Sequence, residues 1–183
     1  MFQVIAFVLF SIVIIYISRA SLRAPRSHGF YRFFAWEFIL ALFLLNVDVW
    51  FDDPFSWHQL IAWCLLFVCL IPLIFGVRSL RSQGKPVASR ESEPQLLAFE
   101  KTSTLVTTGI YRYIRHPLYS SLLFLTWGIF FKSINWLGVG LAIAATLFLF
   151  VTALADEAEC IRFFGESYQE YMKHSKRFVP FLF

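Results

Sequence analysis

Residues 109–119 read Gly-Ile-Tyr-Arg-Tyr-Ile-Arg-His-Pro-Leu-Tyr and stand directly before an apolar segment. Proline is favoured at the first helical position, because the N–H that it lacks would have no intrahelical partner there. Pro117 therefore predicts the start of a membrane helix. The N–H groups of a first helical turn, beside Arg115 and His116, favour a carboxylate or a phosphate. The stretch predicts an anion-favouring site at a boundary between water and lipid.

The composition indicates a membrane protein. Of the 183 residues, 58% are hydrophobic, 20% are aromatic and only 15% are charged, whereas about a quarter of a soluble domain is charged. Judged against the roughly 20 residues that cross a bilayer, five apolar segments can be drawn, at about 2–18, 31–50, 57–77, 117–131 and 134–155. We therefore predict an all-α, polytopic integral membrane helix bundle. It would have about five transmembrane helices and a C-terminal cytoplasmic amphipathic helix.

A single membrane domain over residues 1–183 is expected. Its parts are three N-terminal spans at 1–77, a cytoplasmic loop with the motif at 78–116, a helical hairpin at 117–155 and a cytoplasmic tail at 156–183. The hairpin follows from its connection, since Lys132 and Ser133 alone leave room only for a tight turn. The tail is expected to form a helix that Gly165 interrupts.

Basic residues are concentrated at one end of the predicted helices. Fifteen of the 16 lysines and arginines fall in the first loop, the third connection and the tail, and Lys132 lies at the opposite end. The positive-inside rule then places the N-terminus outside and the C-terminus in the cytoplasm. The short chain favours a bacterial inner membrane, with the endoplasmic reticulum as the alternative.

A group of carboxylates follows the fifth apolar segment, at Asp156, Glu157 and Glu159. Acidic residues near a helix C-terminus oppose the helix macrodipole, so a basic or hydrogen-bonding partner is expected beside them. Because the fourth and fifth segments form a hairpin, the group should lie near Arg115 and His116. This convergence fits a ligand site, and a structural ion pair fits it equally.

Two further carboxylates, Glu37 and Asp48, lie in the second apolar segment. Their spacing places them within about 20° of each other around a helix, so they share one face. Asp48 is assigned a structural role near the outer end, and Glu37 is expected to pair with a loop arginine or to contact a ligand. Three histidines outside the motif are expected to be solvated: His28, His58 and His174. The three cysteines lack the spacing of metal ligands or of a disulfide framework, so no metal is expected.

Two blocks of residues occur in order at a characteristic spacing. The first is Thr104-Leu105-Val106 with Gly109-x-Tyr111-x3-Arg115-His116-Pro117-x-Tyr119, and the second is Asp156-Glu157-x7-Gly165-x2-Tyr168-x2-Tyr171, closing on Arg177 and Pro180. Together they resemble the isoprenylcysteine carboxyl methyltransferase family and the related phospholipid methyltransferases. The resemblance covers roughly residues 78–181. It implies an integral membrane methyltransferase that binds S-adenosylmethionine from the cytoplasm.

The resemblance also implies the residues of a site. The cofactor contacts would be Ser103, Thr104, Leu105, Val106, Tyr111, His116, Pro117, Leu118, Tyr119 and Asp156. Glu157 is the alternative carboxylate, because aspartate is shorter than the usual glutamate of the family at position 156. Catalytic roles fall to Arg115, which would position charges electrostatically, and to Glu157.

The acceptor implied by the resemblance is lipophilic and enters from the bilayer, and its reactive group is a carboxylate, a thiol or an amine. Thr152 stands where the prenylcysteine enzymes carry an arginine for their substrate, so the acceptor stays open. Ser121 replaces the usual glycine of the motif and is expected to crowd a close helix approach. No nucleic acid partner is expected, and the oligomeric state is open.

Two other functions remain alternatives. A membrane oxidoreductase of the sterol-reductase-like group would use NADPH. Those proteins typically read His-Pro-Asn-Tyr followed by Gly-Glu, whereas this chain continues Leu118-Tyr119-Ser120-Ser121 after His116-Pro117. A non-catalytic membrane subunit with the same fold is the second alternative.

Overall fold

The computed structural model describes residues 1–84 and 104–180, and within these ranges the chain forms seven α-helices and one isolated parallel β-bridge. The helices are α1 (Phe2–Leu22), α2 (His28–Asn46), α3 (Trp57–Val68), α4 (Leu70–Gln83), α5 (Pro117–Phe130), α6 (Trp136–Phe164) and α7 (Glu166–His174). Short 3-10 turns occur at Val47–Val49 and Gly109–Arg112. The predicted all-α architecture is confirmed.

Four helical segments are long and apolar enough to cross a membrane: Phe2–Leu22, His28–Val49, Trp57–Gln83 and Trp136–Phe164. The fourth predicted span, α5, is a shorter apolar helix of 14 residues. The predicted polytopic membrane bundle is therefore confirmed, with one span that is short for a bilayer.

The third span differs from its predicted bounds. It continues to Gln83, so the first six residues of the predicted loop at 78–116 are helical. It is also broken at Cys69 into α3 and α4. Pro72 explains the break, because proline offers no N–H to the carbonyl of Val68 and its ring clashes with that carbonyl.

The fifth span also differs. Helix α6 runs nine residues beyond 155 and ends at Phe164, so Asp156 continues a helix instead of starting a separate tail. Gly165 ends it with φ of 61° and ψ of −135°, a backbone conformation that favours glycine. The predicted tail helix is the nine-residue α7 that follows.

Helix starts agree with local chemistry. The Ser27 side chain accepts a hydrogen bond from the Phe30 N–H at the start of α2, and the Asn135 side chain accepts one from the Gly138 N–H at the start of α6. Such caps satisfy N–H groups that lack an intrahelical partner. Pro117 occupies the first position of α5, as predicted.

The core lies between α2 and α6, which pack along much of their lengths. Ala35 of α2 and Ala142 and Ala145 of α6 have no exposed surface. Small residues let helix backbones approach closely, which is how membrane helices gain packing energy without a hydrophobic driving force. This pairing brings the first residue of α2 beside the last turns of α6.

At the far end of the bundle, Lys132 is buried with 1% exposure in the turn between α5 and α6. Its Nζ donates to Gln59 Oε1 at 2.9 Å and lies 3.5 Å from the Trp63 ring centroid. A buried ammonium needs such partners. Gln3 Nε2 donates to Asp48 at 2.6 Å near the same end, so Asp48 joins α1 to α2.

Among the described residues, Glu37 pairs with no arginine, whereas pairing with a loop arginine was expected. Its Oε2 accepts a hydrogen bond from Ser11 Oγ of α1 at 2.6 Å. The expectation was wrong because α1 packs directly on α2 at this depth, and a carboxyl inside a membrane turns toward the nearest polar group.

Candidate functional site

The motif at 113–116 is held by the tail of the chain. A short parallel pairing forms between them, in which Arg115 N donates to Lys176 O at 2.7 Å and His116 N donates to Arg177 O at 3.1 Å. In return, Lys176 N donates to Tyr113 O at 2.9 Å. These bonds satisfy backbone groups that would otherwise be buried without partners. The start of α5 and the C-terminal tail thus form one unit.

The turn before the motif approaches α4 closely. Gly109 has φ of 63°, and a Cβ at this position would lie 2.9 Å from Ser79 Oγ. Both facts disfavour a side chain there. On the other side, Tyr171 OH donates to Tyr111 O at 2.6 Å, which joins the turn to α7.

Glu157 is the centre of a buried charge cluster. It accepts hydrogen bonds from Arg115 Nε at 3.0 Å and from Arg177 Nε and Nη2 at 3.1 and 2.9 Å. His116 Nε2 lies 3.4 Å from the same carboxylate. With 4% exposure, Glu157 is a carboxylate that only such cationic partners can stabilise away from water.

Asp156 takes the other side of His116. Its Oδ2 lies 3.4 Å from His116 Nδ1 and accepts from Tyr119 OH at 3.2 Å. Both ring nitrogens of His116 therefore face carboxylates, Nδ1 toward Asp156 and Nε2 toward Glu157, an arrangement that favours the protonated ring. Burial opposes this charge, but the bonds and charges of Asp156 and Glu157 outweigh it and raise the pKa of His116.

A cleft of about 790 Å³, measured to its open mouth, lies over this arrangement. Nine residues that the sequence assigns to the site line it: Leu105, Val106, Tyr111, Arg115, His116, Pro117, Leu118, Tyr119 and Asp156. The structure therefore places the two sequence blocks on one cleft.

Three other residues that the sequence assigns to the site are not among those that the structure shows lining the cleft. Ser103 lies outside the described residues, and Thr104 is exposed and does not line the cleft. Glu157 turns toward Arg115 and Arg177, so of the pair at 156 and 157 it is Asp156 that lines the cleft.

Arg115 is tied to the protein although it lines the cleft. Besides its bond to Glu157, its Nη1 donates to Met172 O at 3.3 Å and to Ser175 O. These contacts join the start of α5 to the end of α7. Its assigned catalytic role stays a prediction, and the contacts support positioning of Glu157.

Sequence reasoning missed His28, which it expected to be solvated. That expectation was wrong, because His28 has 1% exposure, lines the cleft and binds Glu159 of α6. Ser27 signals the helix start, but no sequence signal links this position to Glu159. His58 is half-buried and bonds Phe131 O at 3.1 Å, so it also differs from expectation. His174 is exposed.

Tyr168 and Tyr171 line the cleft from α7. The second sequence block contains both, yet they were not assigned to the site. Burial raises the pKa of each phenol well above its usual range. Both side chains therefore remain neutral and offer ring faces, while the O–H of Tyr171 is donated to Tyr111 O. Among the described residues, no group of three His, Cys, Asp or Glu side chains could hold a metal ion.

The two departures from the motif are accommodated in the helices. Ser121 is buried in α5, and the close approach of α4 to α5 is provided by Gly76, where a Cβ would lie 3.1 Å from Pro117 Cγ. Thr152 is fully buried, and its hydroxyl donates to Phe148 O at 2.7 Å within α6.

Comparison with known proteins agrees with this arrangement. Residues 95–170 match the phospholipid methyltransferase family. A protein-S-isoprenylcysteine O-methyltransferase from Dictyostelium discoideum is 31% identical over 151 residues, which cover 79% of this chain and 61% of that protein. The chain is similar to protein-S-isoprenylcysteine O-methyltransferases. The resemblance drawn from its two sequence blocks is confirmed.

A second relative of this chain is the human protein-S-isoprenylcysteine O-methyltransferase. It is 36% identical over 83 residues, which cover 44% of this chain and 29% of the human protein. The chain thus spans less than two thirds of the length of either curated relative. No solved structure matches it significantly.

Proposed function

We propose that this protein is a membrane methyltransferase that uses S-adenosylmethionine to methylate a lipophilic acceptor. The observation that carries the proposal is the convergence on one cleft of the α5 start and the α6 carboxylates, with His116 held 3.4 Å from both Asp156 and Glu157. The family match over 95–170 adds the reaction class.

The residues of the cleft fit this cofactor. Asp156 offers a carboxylate to a ribose hydroxyl or to an ammonium group, and Glu159 adds a second negative charge to the cleft wall. Tyr111, Tyr119 and Tyr168 offer faces on which adenine stacks or a sulfonium cation rests. When bound, S-adenosylmethionine supplies a methyl group whose bond to sulfur breaks as the acceptor bonds to carbon, with the electron pair remaining on sulfur.

The chain's own residues would mainly align and shield. Methyl transfer from an activated sulfonium needs the two partners in line, and fixed orientation alone lowers the barrier substantially. The charge cluster of Glu157, Arg115 and Arg177 holds His116 rigid, and α7 covers the cleft with Tyr168 and Tyr171. We assign no general base, because a carboxylate acceptor needs none.

The same donor set argues against the NADPH alternative. A dinucleotide brings several phosphate charges, which are bound by arginines with free donors or by open helix starts. In the described part of the cleft, Arg115 is bonded to Glu157 and to the tail, and two carboxylates line the wall. One of them, Asp156, contacts His116 and Tyr119 at the start of α5 and so opposes an anion there. Those carboxylates would repel a pyrophosphate.

We place the cleft on the cytoplasmic face, from the positive-inside distribution of the basic residues. Thr152 offers no cation to the acceptor, since its hydroxyl is bonded within α6. The acceptor class is therefore kept as a lipophilic carboxylate, thiol or amine. Incubating purified protein and native lipid extract with a labelled methyl donor would identify it.

Binding of S-adenosylhomocysteine tests the proposal directly. Calorimetric titration into purified protein in detergent should give a single site, and His116→Ala should abolish the binding heat. His174→Ala is the matched control, because His174 is exposed and lies outside the cleft. The melting temperature of each variant reports whether it is folded. Unchanged affinity in folded His116→Ala would refute the site.

A further inference from the structure

The pair formed by His28 and Glu159 lines the same cleft as the motif. The His28 backbone N–H donates to Glu159 Oε1 at 2.8 Å, and its Nδ1 donates to Oε2, also at 2.8 Å. Both carboxylate oxygens are therefore fixed by one residue of α2. The Glu159 side chain keeps 11% of its surface exposed and lines the cleft.

Neighbouring carboxylates of α6 are balanced by cations, and Glu159 is bound differently. Glu157 contacts two arginines, Arg115 and Arg177, and Asp156 contacts the ring of His116. The bonds to Glu159 come from a backbone N–H and from Nδ1, which donates equally well in neutral histidine. Glu159 is thus held in place without requiring a formal positive charge opposite it.

The methyl donor and its product differ in charge. S-adenosylmethionine carries a sulfonium and an ammonium against one carboxylate, whereas S-adenosylhomocysteine has a neutral thioether. A fixed carboxylate in a cleft attracts the net positive charge of S-adenosylmethionine. S-adenosylhomocysteine has no net charge for the same carboxylate to attract. At an effective dielectric of about 20, one such charge acting across several ångströms is worth roughly tenfold or more in affinity.

We infer that Glu159, oriented by His28, is the specificity-determining carboxylate that makes this cleft prefer the cationic methyl donor to its neutral product. The inference rests on the proposed function and deepens it. Glu159 acts directly on the ligand, and His28 is a positioning residue. The pair also makes the cleft depend on α2, which lies outside the region matched to the family.

The test compares two ligands in one variant. Calorimetric titrations of S-adenosylmethionine and S-adenosylhomocysteine are run on wild type, on Glu159→Gln and on Glu170→Gln. Glutamine keeps the shape and one of the two hydrogen-bond acceptors but removes the charge, and neutral His28 can accept from the new amide through Nδ1. Glu170 is the matched control, because it is an exposed carboxylate paired with Lys173 outside the cleft.

In Glu159→Gln we expect the affinity for S-adenosylmethionine to fall by about tenfold or more, while that for S-adenosylhomocysteine changes by less than about threefold. Glu170→Gln should change neither. His28→Ala should weaken the preference as well, and His28→Asn, which keeps a side-chain donor, should recover part of it. A merely structural role would change both affinities alike.

Equal losses for the two ligands in Glu159→Gln would overturn the inference while leaving the methyl-donor site in place. An unchanged ratio of affinities would overturn it in the same way. If wild type binds neither ligand, the proposed function itself fails, and the inference falls with it. Melting temperatures of all variants separate loss of binding from loss of the fold.

Discussion

The contact between Arg177 and Glu157 connects the C-terminal tail to the site, and its removal should be costly. Two hydrogen bonds, at 3.1 and 2.9 Å, join the guanidinium to a carboxylate whose side chain is 6% exposed. Breaking a buried pair by removing one partner typically costs about 3–5 kcal/mol. Here Arg115 and His116 remain on Glu157, so we expect Arg177→Met to lower the free energy of unfolding by about 2–3 kcal/mol.

A double-mutant cycle measures this interaction. Arg177→Met, Glu157→Gln and the double variant are unfolded by heat in detergent, where a loss of this size lowers the melting temperature by roughly 5–10 °C. The interaction energy should be at least about 1.5 kcal/mol. Lys173 and Glu170 provide the control cycle, because both are mostly exposed and such pairs are worth less than about 1 kcal/mol.

The result that would refute this reasoning is a cycle for Arg177 and Glu157 no larger than the control cycle. It would mean that the tail is held by its backbone pairing with the motif and not by charge. The affinity for S-adenosylhomocysteine gives a second measurement, since a loosened Glu157 would also release His116.

Two further predictions concern the motif and the turn before it. Because Asp156 and Glu157 raise the pKa of His116 in the folded protein, its charge contributes stability that is complete below its ordinary pKa of about 6.5 and is lost as pH rises through the raised pKa. The difference in melting temperature between wild type and His116→Gln should therefore narrow from pH 6 to pH 9, and a constant difference would contradict it. Gly109→Ala should lower stability by about 1–2 kcal/mol, since φ is 63° and the added Cβ would lie 2.9 Å from Ser79 Oγ. A melting temperature equal to that of wild type would show that the turn relaxes.

The fold was predictable wherever one local rule decides the outcome. The count of apolar residues gives the spans, Pro117 gives the start of α5, and Ser27 and Asn135 cap the helices that follow them. The break at Cys69 follows from Pro72 by the same kind of rule, although it was not predicted. Hydropathy predicts that the fifth span ends at 155. The helix continues beyond that residue because its carboxylates have partners, which a hydropathy profile does not show.

The site was predictable only where the chain is a hairpin. The connection at Lys132 and Ser133 brings the ends of α5 and α6 together, so Asp156 and His116 meet as the spacing indicated. His28 could not be found in this way, because its contact with Glu159 spans 131 residues and depends on how α2 packs on α6. That packing depends on small alanine residues, and an alanine in the sequence does not indicate which helix it packs against.

The length of α6 fixes the depth at which any chemistry would take place. At 1.5 Å per residue, its 29 residues extend about 43 Å, whereas the hydrocarbon layer is about 30 Å thick. If the apolar part up to 155 fills that layer, Asp156 and Glu159 stand level with the lipid headgroups. A lipophilic molecule lying among the acyl chains could then present its polar end to the cleft without leaving the leaflet. A water-soluble donor could meet it there from the aqueous side.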